Sequence, residues 1–115
     1  MWVPVLPPDD LGAAQAAAGA ISDPRAAHYW DGERSLAHRL AGALGISAKE
    51  SIGVEGGAGV AWDVYAAYGR GNADLMRPDF WMHQLAVTHA PRLDAAAFRE
   101  RVVRLLTPSS TEGQA

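Results

Sequence analysis

The chain has 115 residues, 49% of them apolar and 20% charged, with a net charge of −3. One domain fits that length, and a soluble globular chain fits that composition. The acidic balance gives no electrostatic footprint for nucleic acid or an anionic membrane, and with no cysteine, disulfides, thiolate metal sites and thiol catalysis are excluded. No apolar run reaches the roughly 18 residues a membrane span needs. The start, MWVPVLPPDD, lacks the basic region of a signal peptide, so the expected compartment is the cytoplasm.

Trp2 to Leu6 is a short valine-bearing apolar run that reads as a strand, with Pro4 arguing for an edge or a local interruption. Pro7-Pro8 ends it. Asp9 or Asp10 can cap a helix over Leu11 to Ala20, in which Leu11, Ala14, Ala18 and Ile21 lie at helical spacing. Ser22-Asp23-Pro24 is a turn or a helix start, and AAHYW (Ala26 to Trp30) reads as a second short strand. Leu36, Leu40 and Leu44 mark an amphipathic helix from Glu33 to Leu44, with Gly45 as its C-terminal cap. Ser47 and Glu50 have capping-box spacing before a run of one or two turns.

Four glycines between Gly53 and Gly59 make a loop. AWDVYAAY (Ala61 to Tyr68) alternates, with Trp62, Val64, Ala66 and Tyr68 on one face. FWMHQLAV (Phe80 to Val87) is the next strand, and its natural partner is the strand before it, antiparallel. Asp94 can cap a last helix striped by Phe98, Val102, Leu105 and Leu106. The expectation is a single domain over residues 1–106, with a flexible polar tail over 107–115. Its class is mixed α/β, a small mixed sheet covered by helices, in the order β-α-β-α-β-β-α.

That order resembles the C-terminal two-thirds of a thioredoxin-like domain of the peroxiredoxin and TlpA-like branch. The residues that carry the likeness are Asp31-Gly32-Glu33 running into Ala37 to Gly45, then AWDVYAAYG, FWMHQLA and LDAAAFRERVVRLL. Two family features have no counterpart. The unit that bears the redox cysteine is absent ahead of Trp2, and Gly59-Val60-Ala61 stands where a cis-proline is expected. No catalytic residue carries over, since thiol exchange needs a thiolate. The resemblance implies a truncated fold with a strand missing between the counterparts of Trp2–Leu6 and Ala61–Tyr68. The gap then closes by rearrangement, is filled by another chain, or reflects a unit encoded upstream of Met1.

His83 and His89 invite a metal reading. In one strand they stand roughly 20 Å apart at about 3.3 Å per residue, too far to share an ion. Elsewhere no H-x-x-x-H or H-x-H spacing occurs, and Asp31, three residues after His28, could make a weak site with a remote His83. GVEGGAG has no following Gly-Lys-Ser/Thr and precedes a strand, so it is not a phosphate loop. GISAK fails the last glycine of a nucleophile elbow. Asp63, between Trp62 and Val64, is either solvated or buried as a functional acid.

The ligand or partner candidates are therefore His28, Asp31, Trp62, Asp63 and His83, with no catalytic residue, metal or cofactor assigned. The expected role is non-catalytic binding or structure, through self-association or a partner chain at an open sheet edge. The alternative is a small-molecule binder or a histidine–carboxylate enzyme with an aromatic-lined pocket.

Overall fold

The computed structural model of the chain describes residues 1–107. It is mixed α/β, with four helices and one two-stranded antiparallel sheet. The observed order is α1 (Leu11–Ala18), α2 (Ser35–Leu44), α3 (Ala48–Ile52), β1 (Val64–Ala67), β2 (Phe80–His83) and α4 (Ala95–Leu106). Two compact units divide it, Met1–Trp62 and Asp63–Ala115. Apart from Thr107, which caps α4, the expected polar tail lies outside the described residues.

In the first unit the expected strands at Trp2–Leu6 and Ala26–Trp30 shrink to one parallel bridge between Trp2 and Trp30. The Trp2 N–H donates to the Tyr29 carbonyl at 2.7 Å, and the Asp31 N–H donates to the Trp2 carbonyl at 2.8 Å. The pairing stops there because side chains take the next backbone groups. Arg34 donates from Nε to the Pro4 carbonyl (2.6 Å) and from Nη2 to the Val5 carbonyl (3.2 Å). Asp9 Oδ2 accepts from the Val5 and Leu6 N–H groups. Backbone groups partly withdrawn from water need partners, and here side chains rather than a neighbouring strand supply them.

The helices begin and end on local chemistry. Asp10 accepts from Ala13 N–H and caps α1, which buries no residue. α2 ends on Gly45 at φ 70°, and Ile46 N–H reaches back to the Ala41 carbonyl at 2.8 Å, closing the helix with a left-handed turn. Ser47 and Glu50 form a full capping box for α3, each side chain on the other's N–H. Ala37, Ala41 and Leu44 of α2 are buried, as are Ile46, Ala48, Val60 and Ala61. Four of those seven are alanine, so Leu44, Ile46 and Val60 supply most of the burial energy, at about 1.5–3 kcal/mol each.

In the second unit β1 and β2 pair antiparallel with Val64 opposite His83 and Ala67 opposite Phe80. The expected strand from Ala61 starts later, because Asp63 sits at φ 50°, a left-handed conformation that breaks the extended run. The expected strand to Val87 ends at His83, whose own ring captures the Leu85 N–H. Phe80, Met82, His83, Leu85 and Val87 are buried. Asp94 caps α4 through Ala97 N–H. The helix docks Phe98 edge-on against Phe80 at 5.1 Å and lays Arg101 over the same ring at 4.5 Å. Phe98, Val102 and Leu105 are half-buried, but Leu106, expected in the same stripe, is 78% exposed and Val103 52%. Among the described residues no helix is long and apolar enough to cross a membrane.

Candidate functional site

The five sequence candidates separate into three places. His28 and Asp31 lie beside the Trp2–Trp30 bridge. His28 is exposed, and its Nδ1 accepts from the Trp2 indole N–H at 3.0 Å with the rings stacked at 6.0 Å. Its Nε2 faces the Ile21 carbonyl at 3.3 Å. Asp31 Oδ2 accepts from Ala37 N–H at 2.9 Å, in the third position of α2. The residue at the cap position, Arg34, offers α2 no side-chain acceptor, so Asp31 serves as the cap from outside the helix. Asp31→Ala should therefore cost about 1 kcal/mol, typical of a lost cap, measured as a shift in the urea midpoint. An unchanged midpoint would show that this bond contributes nothing.

Trp62 is in a different place. Its indole N–H donates to the Ser51 carbonyl at 2.7 Å. Ser51 in turn donates to the Ser47 carbonyl and accepts from Val60 N–H, so the end of α3 is stitched to residues 60–62.

Asp63 and His83 belong to the second unit. Asp63 is exposed, and its carbonyl accepts from Gln84 N–H at 3.0 Å. His83 is 0% exposed and both ring nitrogens are engaged. Nδ1 accepts from Leu85 N–H at 3.0 Å, and Nε2 donates to the Ala90 carbonyl at 2.9 Å. A backbone N–H can only donate and a carbonyl can only accept, so these partners select the Nε2–H tautomer. The His83 backbone bonds the Pro91 carbonyl and the Leu93 N–H. Ring and backbone of this one residue therefore hold β2, its following turn and the 90–93 segment together. His89 stands apart, its ring edge-on to Trp81 at 5.9 Å.

Two polar clusters carry no sequence signal strong enough to single them out. In α2, His38 faces the Gly59 carbonyl through Nδ1 at 2.7 Å. Asp79 gathers the connection between the strands, accepting from Asn72 Nδ2 at 2.9 Å and Gly69 N–H at 2.6 Å. The Asn72 amide, then the Gly69 N–H, hold the Asp79 carboxyl below its ordinary value. Asp9 is lowered likewise, by the Leu6 and then the Val5 N–H. A lowered folded-state value stabilises the fold above the unfolded value, about pH 4, and the gain is lost as pH falls through the lowered one. Asp79→Asn should flatten the fall in stability below about pH 4 in a series of urea midpoints. A parent-like acid limb in that variant would contradict this assignment.

A cleft of about 110 Å³ lies between the end of β1 and α4, lined by Ala67, Tyr68, Gly69, Arg70, Val102, Leu105 and Leu106. Burial, then the charge of Asp74, pushes the Tyr68 phenol upward, and its hydroxyl donates to the Leu75 carbonyl at 2.8 Å. None of the five candidates lines this cleft. Among the described residues no three histidine, aspartate or glutamate side chains converge as metal ligands would.

The strand edges complete the picture. The Gln84-to-Asp63 bond and the β1–β2 register make Tyr65/Met82 and Ala67/Phe80 the mutually bonded pairs. Val64 and Ala66 therefore aim their N–H and C=O groups away from β2, and among the described residues these groups have no hydrogen-bond partner. On the other strand, the outward groups of His83 are already paired to Pro91 and Leu93.

Comparison with known proteins finds no matching family model, no matching curated protein and no matching solved structure.

Proposed function

We propose that this chain is a non-catalytic, cysteine-free association domain whose partner is a second copy of itself. The outer edge of β1, half-buried and without a hydrogen-bond partner among the described residues, carries this reading. Both strands are four residues long, and an unpaired strand edge is a template for another strand. The candidate side chains support a structural role. Asp31 caps a helix, Trp62 ties a helix end, and both nitrogens of His83 are consumed by backbone. The thioredoxin-like part of the reading draws on the order hairpin then helix, β1-β2-α4, and on the residues quoted for it.

Light scattering tests the role. The chain at micromolar concentration should give a mass above that of one copy, and Asp31→Ala and His28→Ala should leave that mass unchanged. A strictly monomeric parent would refute the proposal. Loss of association in both variants would move the function to the Trp2–His28–Asp31 cluster instead.

A further inference from the structure

We infer that β1 pairs antiparallel with β1 of the second copy about a two-fold axis through Tyr65, joining two hairpins into one four-stranded sheet. This rests on the association reading above and adds the surface and the register. An isologous contact must be self-complementary. Among the described residues, the groups of Val64 and Ala66 are those on β1 that point outward and lack partners. Setting Val64 opposite Ala66 of the second copy satisfies them all, since the two-fold repeats the pairing on the other side. Tyr65 then faces Tyr65 of the second copy in the wide, non-bonded position, where side chains approach most closely.

Charge agrees with this register. β1 is Val-Tyr-Ala-Ala, without the charge or proline that blunts a natural edge. Asp63 lies outside β1 at φ 50°, so the paired residues bring no like charges together. The alternative edge is poorer. On β2 the outward groups of His83 are taken, and among the described residues this leaves those of Trp81 to offer. A second copy also brings the same unfinished edge, so one contact completes both sheets.

The absence of native cysteine makes a cross-linking test clean. In a wide antiparallel pair the Cα atoms are about 4.5 Å apart, within disulfide reach. Mild oxidation of Tyr65→Cys should give a covalent dimer on a non-reducing gel, and Leu106→Cys should give none. Ala66→Pro deletes one outward N–H and leaves the Tyr65/Met82 and Ala67/Phe80 pairs in place, so the dimer should dissociate at least about tenfold more readily. A parent that associates while Tyr65→Cys fails to cross-link overturns the edge and register but leaves the association reading standing. A parent that does not associate overturns both.

Discussion

Replacing Gly59 with alanine is expected to lower stability by about 3 kcal/mol, at the upper end of what overpacking costs. A Cβ at that position would stand 2.1 Å from the Ile46 carbonyl oxygen and 2.8 Å from its carbon. Both neighbours are backbone, so no side chain can rotate away. The obstructed strip is also where the first unit is tied together. Ser47 and Ala58 form a bridge there, His38 meets the Gly59 carbonyl, and Val60 and Ile46 are buried alongside. Relief would require moving the turn between α2 and α3, and with it the capping box. Urea titration followed by tryptophan fluorescence measures the loss. A midpoint within error of the parent would mean that this approach is looser than the structure has it.

His83→Phe is the second large effect, again about 3 kcal/mol. The ring is fully buried, and phenylalanine fills much of its space without either nitrogen. The Leu85 N–H and the Ala90 carbonyl would each lose their partner, and a buried orphan costs about 1–3 kcal/mol. The loss should appear at the turn after β2. Hydrogen exchange at Leu85 should accelerate in step with the fall in global stability, or beyond it. For contrast, His28 is exposed, and His28→Ala should cost only about 0.5 kcal/mol. Equal losses in the two variants would contradict the role given to the His83 ring.

The elements legible in the sequence are those decided by neighbours along the chain. The caps at Asp10, Ser47–Glu50 and Asp94 and the glycine end at Gly45 are local signals, and each is where its residues place it. The antiparallel hairpin was legible too, since alternation and proximity suffice for it. Strands at Trp2–Leu6 and Ala26–Trp30 were not, because a strand exists only if a partner takes its backbone. Arg34 reaches that backbone from far along the chain and Asp9 from just beyond Pro7-Pro8, and no apolar pattern announces either contact. The left-handed turn at Asp63 is similarly silent. Aspartate tolerates it, but alternation across AWDVYAAY masks it.

The candidate residues show the same division. His83 could be read as a strand histidine needing hydrogen-bond partners, while their identity, Leu85 and Ala90, depends on how the chain turns back after β2. Asp31 carries a carboxylate near a helix start, yet its distance from α2 hides its capping role. The outward-facing groups of Val64 and Ala66 follow from the register of a two-stranded hairpin, which alternation along the chain does not set.

Sedimentation equilibrium over a range of concentrations tests the central claim most directly. Association through β1 predicts a mass that climbs with concentration from one copy to two and then stops, because a two-fold contact closes. A mass that stays at one copy up to about 100 μM, well above the Kd expected of a specific dimer, would contradict it.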